Sequence, residues 1–265
     1  MKIVINLTNH TEIDLGIRAG IGEKVLFFPL IDSTNSFLKA NAHLFPEGIV
    51  VWGDRQTSGR GRHSRKWESP EGKGLYFSIL LKPTLSKNIP LLSLMTSLAL
   101  KSGIEEYVGE LSLPPQIIDI KWPNDLLISG KKIAGILIEG TSNDEKISLI
   151  VGIGLNITAR PNDFSDEVGR NAGSLEQFYG GSWNRKQLLK HILLCFGSGY
   201  RGFDAREILN DYRQASRIWG RKCYVDTVEG RIIGICKDLS PQGELIVETS
   251  SGEKKIIAGT LHLEW

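Results

Sequence analysis

Between residues 117 and 157 four apolar runs follow one another with only turns between them. They cover 117–122, 126–128, 132–139 and 146–157, with breaks at Pro123-Asn124, Ser129-Gly130 and Ser142-Asn143-Asp144. A parallel neighbour needs a crossover of about a dozen residues, usually a helix, whereas an antiparallel one needs only a tight turn. No gap here holds a crossover. Strict βαβ alternation is excluded, and the spacing predicts an α+β fold with a mixed or antiparallel sheet packed by helices.

The flanking sequence supplies the helices. Asp32-Ser33-Thr34 are capping residues ahead of a short helix over 35–41. Strands are expected over 48–52 and 75–81, and 89–108 carries Leu91, Leu94, Met95, Leu98 and Ile104 at helical spacing. A further helical stretch is predicted over 185–214. Beyond Ser216 the apolar period becomes two, broken at Gly230, Pro241-Gln242-Gly243 and Ser251-Gly252, so 216–265 fit a small β-barrel. Residues 1–24 are too short and mixed for a domain, which leaves a main domain over 25–215.

Composition narrows the class. With 265 residues, 41% apolar and 23% charged, the chain is neither disordered nor a membrane protein. The longest apolar helical candidate, between Lys87 and Lys101, is too short for a span. Cys195, Cys223 and Cys236 form no C-x-x-C pair, and the N-terminal residues lack a signal-peptide core; a cytoplasmic protein without structural zinc or disulfides is expected. The net charge of +2 provides no global field, so any anion site must be a local cluster.

Such a cluster exists. Gly59-Arg60-Gly61-Arg62-His63-Ser64-Arg65-Lys66-Trp67 holds four permanent cations and a histidine, with no acid among them. Its glycines allow positive φ and close backbone approach. Guanidinium forks suit phosphate and carboxylate oxygens, and Trp67 offers a stacking face. The plain alternative is a solvated loop or an RNA-binding arm; flanking buried strands within the main domain favour a site. A second segment is Lys121-Trp122-Pro123-Asn124-Asp125, where Pro123 breaks a strand and places the Asn-Asp pair in a turn. Lys132 then opens the next strand, and Gly152-Ile153-Gly154-Leu155-Asn156 puts two glycines where they weaken packing unless something approaches closely. There is no Rossmann fingerprint and no P-loop.

Taken in order, Asp32-Ser33-Thr34-Asn35, GRGR at 59–62 leading to Trp67, KWPND at 121–125, KIAGILIE at 132–139 and GIGLNI at 152–157 resemble a biotin–protein ligase. The resemblance covers about residues 28–160 and extends to the small C-terminal β unit. It implies a catalytic domain like that of class II aminoacyl-tRNA synthetases followed by an SH3-like barrel. The implied activity joins biotin and ATP into biotinyl-5′-AMP, then transfers biotin to a lysine of a biotin carboxyl carrier domain, with a magnesium requirement whose ligands stay unassigned. The biotin site it implies comprises Ser33, Thr34, Asn35, Gln56, Arg60, Gly61, Arg62, Lys132, Gly135, Gly152 and Gly154. ATP is assigned to Arg62, Arg65, Trp67, Asn124, Asp125, Lys132 and Asn156, and the catalytic cations are Lys132, Arg60 and Arg62.

Two departures stand out. The loop reads Arg62-His63-Ser64-Arg65 where the family shows Arg-Arg-Gly-Arg, so Ser64 restricts positive φ and His63 makes one charge pH-dependent. About 24 residues ahead of the catalytic domain leave no room for a DNA-binding head, and no DNA binding is expected. A homodimer is compatible with the resemblance. The competing readings are a lipoate–protein ligase, which shares fold class and adenylation chemistry, and a non-catalytic nucleic-acid-binding module using the Arg/Gly loop. The balanced charge opposes the latter.

Overall fold

The structure, a computed structural model, describes residues 10–83, 89–143 and 146–263. One mixed sheet contains eight strands: β1 (Thr11–Ile13), β2 (Val25–Ile31), β3 (Val50–Gln56), β4 (Gly74–Leu81), β5 (Ile118–Lys121), β6 (Asp125–Ile128), β7 (Lys131–Asn143) and β8 (Lys146–Asn156). Their spatial order is β1-β2-β3-β4-β8-β7-β6-β5. The pair β2–β3 is parallel, and its crossover carries the helix α1 (Thr34–Asn41), as parallel pairing demands. Ser33 caps α1 by accepting the Ser36 N–H at 3.3 Å, and Phe37 and Leu38 anchor it in the core.

The run β5 to β8 is antiparallel throughout, as the sequence spacing predicts. Ser129 and Gly130, at φ 49° and 76°, form the two-residue turn from β6 to β7; both residues in the left-handed region match strand twist in such hairpins. The next expected turn includes Asp144, which lies outside the described residues. At the proline break the chain turns through Trp122, Pro123 and Asn124, while Asp125 already opens β6.

Helix α2 (Ile89–Glu110) is followed by α3 (Asp166–Gly169), α4 (Leu175–Tyr179), α5 (Arg185–Arg201) and α6 (Ala205–Ala215). The single stretch expected over 185–214 is thus two helices. Gly202 ends α5, and Asp204 caps α6 by accepting the Arg206 and Glu207 N–H groups at 2.8 and 2.9 Å. That cap signal lies inside a periodic pattern and is easily passed over.

The C-terminal strands β9 (Lys222–Thr227), β10 (Gly230–Leu239), β11 (Leu245–Thr249), β12 (Gly252–Ile256) and β13 (Thr260–Leu263) form an antiparallel sheet in the order β12-β11-β10-β9-β13. It is the barrel-like unit that the period-two pattern predicts. Its Cys223, Val225 and Cys236 share one continuous hydrophobic core with Ile120 and Leu126 of the large sheet. Two hydrogen bonds reinforce that contact, from Trp122 Nε1 to the Gly243 carbonyl at 3.4 Å and from Ser216 Oγ to the Ile120 carbonyl at 2.6 Å. Among the described residues no helix is long and apolar enough to cross a membrane.

Where α2 crosses α5, a Cβ on Gly103 would sit 2.6 Å from Ile192 Cα. Backbone cannot yield as a side-chain tip can, so Gly103→Ala forces the helices apart. Urea denaturation should show a loss of about 1–3 kcal/mol, the usual range for overpacking.

Candidate active site

The site begins at the N-terminus of α1. Ser33, Thr34 and Asn35 are buried, and buried polar groups require partners. The Thr34 N–H donates to Gln56 Oε1 at 2.9 Å, and Gln56 Nε2 donates to Ser69 Oγ at 2.9 Å. Ser78 Oγ, fully buried on β4, lies 2.6 Å from Asn35 Oδ1 and 2.7 Å from Thr34 Oγ1. Asn35 Nδ2 donates to Glu139 Oε2 at 3.0 Å. A string of hydrogen bonds therefore lines one end of a cleft.

The floor is glycine. Gly135 and Gly154 are paired across β7 and β8, and Gly152 is paired with Leu137. A Cβ on Gly152 would run into Asn35 Oδ1, and one on Gly154 into the Trp67 indole. On Gly135 it would lie 3.0 Å from Trp67 Cζ3 and 3.1 Å from Lys132 Nζ. The close approach expected at these glycines is real. The approaching groups are the chain's own Asn35, Trp67 and Lys132.

The basic loop folds over this floor. Gly61 N–H donates to the Arg65 carbonyl at 2.7 Å and Trp67 N–H to the Gly59 carbonyl at 2.9 Å, bracketing a short 3₁₀ turn at Arg62–Ser64. Positive φ was expected of the glycines; instead His63 takes it, at 52°, while Gly61 is extended at −113°. Gly59 is needed for room, because a Cβ there would collide with the Trp67 carbonyl. Arg60 Nη2 meets Glu139 Oε1 at 3.3 Å, and Arg62 Nη2 donates to the Gly259 carbonyl at 2.7 Å, which ties the loop to the C-terminal sheet.

Cations dominate the cleft. Lys132 Nζ pairs with Asp125 Oδ1 at 2.7 Å and stands 5.4 Å from the Trp67 ring centroid. Burial pulls the Arg62 guanidinium below its ordinary pKa, and the Asp125 carboxylate opposes the shift. Lys121 is lowered by burial in the same way, again opposed by Asp125 and reinforced by Lys132, Arg62 and Arg65. Asp125 is the single carboxylate among the described residues of the lining. A cleft so charged accepts anions, and its neutral end offers directed donors and acceptors.

Of the residues singled out in the sequence, Ser33, Thr34, Asn35, Gln56, Arg60, Gly61, Arg62, Arg65, Trp67, Asn124, Asp125, Lys132, Gly135, Gly152 and Gly154 line this one cleft. Asn156 does not. It is buried behind the floor, where Nδ2 donates to the Gly173 carbonyl at 3.0 Å and Oδ1 has no partner among the described residues. The segment it holds pairs with the Lys132 backbone, through Lys132 N–H to the Asn171 carbonyl at 2.8 Å and Gly173 N–H to the Lys132 carbonyl at 2.9 Å. Asn124 Nδ2 donates to the Ile136 carbonyl at 2.5 Å, fixing the proline turn to β7. The sequence reading placed His63 and Lys66 in the basic cluster without assigning them to a ligand, and it missed Ile136, Leu137, Ile153 and Thr260 of the lining. The apolar ones were legible by alternation with the glycines; Thr260 had no local signal.

Residues 27–156 match the model of the biotin/lipoate A/B protein ligase family. The bifunctional ligase/repressor BirA of Bacillus subtilis is 35% identical over 96% of this chain and 79% of its own length. The biotin–[acetyl-CoA-carboxylase] ligase of Mycobacterium tuberculosis is 29% identical over 87% of this chain and 86% of its own. Among solved structures, the biotin protein ligase from Aquifex aeolicus in complex with biotin and ATP superposes with a TM-score of 0.77 at 32% identity, covering 91% of this chain and 98% of that one.

The floor makes a prediction independent of any ligand. Gly154→Ala must displace the Trp67 indole and with it the loop's seat. Tryptic cleavage after Arg60, Arg62 and Arg65 should rise several-fold while the thermal midpoint stays within a few degrees, since the loop opens locally.

Proposed function

The chain belongs to the biotin/lipoate A/B protein ligase family, and on that premise we infer that it is a biotin–protein ligase, activating biotin with ATP and passing it to a carrier lysine. The observation that carries the reading is the juxtaposition in one cleft of converging cations and a neutral, hydrogen-bonding pocket over a glycine floor.

In the first step a biotin carboxylate oxygen attacks the α-phosphorus of ATP; a P–O bond forms, the bond to the β-phosphate bridge breaks, and pyrophosphate leaves. The carboxylate is already ionised near neutral pH, so no strong base is required. The obstacle is bringing two anions together. Preorganised cations aimed at the developing charge lower that barrier. Lys132 carries this role, released from Asp125 as the anions arrive, with Arg60 and Arg62 covering them from the loop. Ser33, Thr34, Asn35 and Gln56 hold the neutral bicyclic head, and Gly135, Gly152 and Gly154 leave room for it. Trp67, Arg65, Asn124 and Asp125 border the nucleotide. Asn156 acts at one remove, through the 171–173 segment that supports Lys132. In the second step the carrier lysine amine attacks the acyl carbon, an amide forms, and AMP leaves. Loop closure shields the adenylate from water in between.

Among the described residues no group of three or more His, Cys, Asp or Glu is placed to hold a metal ion. Magnesium usually keeps waters and binds through one or two carboxylates plus substrate phosphates. Asp125, the one carboxylate among the described residues of the lining, is the residue that would hold a magnesium ion alongside substrate phosphates, and the ion would supply neutralisation of phosphate charge. The proposed partner is the biotin carboxyl carrier domain of a carboxylase, in the cytoplasm; no DNA-binding role is proposed. Residues 25–215 are proposed as the catalytic unit and 216–265 as a C-terminal unit that completes the cleft through Gly259 and Thr260.

Exchange of labelled pyrophosphate into ATP tests the reading. Biotin should drive exchange and lipoate should not; the reverse result would identify a lipoate ligase, and exchange with neither would withdraw the adenylation chemistry. Lys132→Ala should lower the biotin-driven rate by about 10²–10³, the cost of losing one preorganised electrostatic contact.

A further inference from the structure

The C-terminal sheet carries a cluster of titratable groups beside the cleft. Thr260 lines the cleft, and side chains two apart on a strand share a face, so His262 lies on the same side about 7 Å further along β13. The register sets Asp226 opposite Thr260 and Tyr224 opposite His262. The His262 ring is stacked on Tyr224, with centroids 4.4 Å apart and planes at 8°, and the Arg231 guanidinium lies 4.1 Å from the Tyr224 centroid. Asp226 is itself held by Arg231 Nε at 2.7 Å. The imidazole is thus fixed by packing against groups that are fixed in turn.

One ring nitrogen is committed. Nε2 is shielded from solvent and stands 3.3 Å from Asp226 Oδ2, in an ion-pair contact. A carboxylate only accepts, so the proton of the neutral ring belongs on Nε2, and Nδ1 keeps its lone pair. The side chain is 36% exposed, and with Nε2 shielded that exposure belongs to the rest of the ring. The charged groups around it are Asp226 and Arg231 on the sheet, Lys121 at the end of β5 and Arg65 on the basic loop. Burial pulls the imidazole below its ordinary pKa; Lys121, Arg65 and Arg231 add to the fall, and Asp226 opposes it. The ring is therefore neutral at physiological pH and able to take a proton there. His63 lines the cleft too, but it is exposed on the loop, and no ion pair among the described residues fixes its tautomer.

A lysine that enters this cleft arrives as a cation among cations, and like charges favour its neutral form. We propose that His262 is the general base of the transfer step, accepting at Nδ1 the proton that the carrier lysine nitrogen sheds as it bonds to the acyl carbon. This rests on the reading of the chain as a ligase that acylates a carrier lysine. The entering ammonium gives its first proton to water. The amine then attacks the acyl carbon, the C–O bond to the phosphate breaks, and AMP leaves with the electron pair. The second proton passes from nitrogen to His262, which later releases it to water.

Transfer is isolated by charging the full chain with adenylate from biotin and ATP and then adding a saturating carrier domain; pyrophosphate exchange reports the first step. His262→Ala should slow single-turnover transfer by about 10²-fold, the low end of general-base effects, and leave biotin-driven exchange within about twofold. The slot vacated against Tyr224 admits free imidazole, which should restore transfer in proportion to its neutral fraction. Wild-type transfer should fall on the acid side as His262 protonates, with a break below the usual imidazole range that the variant lacks. A transfer rate close to wild type, or a loss that imidazole does not restore, overturns the proposal. Should His262→Ala fail to fold, His262→Phe keeps the stack on Tyr224 and decides: slow transfer without the acid-side break supports the base, and unchanged transfer or a retained break overturns it. A wild type without biotin-driven exchange would instead sink the ligase reading, so the two failures are distinguishable.

Discussion

Like charges repel, yet the cleft gathers Arg60, Arg62, Arg65, Lys66 and Lys132, and Lys121 close behind it feels the charge of Arg62, Arg65 and Lys132. The rest of the site follows from how that repulsion is contained. Asp125 pairs with Lys132, Glu139 pairs with Arg60, and the Gly259 carbonyl receives Arg62. Three local acceptors thus hold the cations in place without filling the cleft with acids. An incoming carboxylate or phosphate replaces these partners with a stronger match, because guanidinium and ammonium groups bind such oxygens by charge-assisted hydrogen bonds. The cleft is assembled against its own electrostatics.

That arrangement depends on the sheet beneath it. The antiparallel β7–β8 pairing brings Gly135 beside Gly154, and the missing Cβ atoms let the Trp67 indole and the Asn35 amide lie against the backbone. Side chains there would lift the loop from its floor and part Arg60 from Glu139. The C-terminal sheet contributes equally. It shares the hydrophobic core of the large sheet and presents Gly259 and Thr260 to the cleft. The basic loop and the C-terminal strands are therefore linked through Arg62 and Gly259.

Much of this was legible in the sequence because the informative features are local. Strand succession over 117–157 dictated antiparallel pairing, and the loop's uncompensated cations marked an anion site. The rest required tertiary contacts. Arg62 and Gly259 are 197 residues apart, and no periodicity connects them. Positive φ fell on His63, since the 3₁₀ turn and not the glycine spacing determines where the chain reverses. Asn156 lies in the same motif as Gly154, yet faces the 171–173 segment behind the floor. Glu139 is the last residue of the KIAGILIE run, and no local pattern in the sequence places it beside Asn35 and Arg60.

The central claim is that this cleft joins two anions into a protected adenylate. Mass spectrometry of the protein incubated with biotin, ATP and magnesium, without any carrier, tests it most directly. The account predicts a retained biotinyl-5′-AMP, close to one equivalent per chain, that disappears with release of AMP when a carrier domain is added. Formation of pyrophosphate without any bound adenylate, or no reaction of biotin at all, would contradict it.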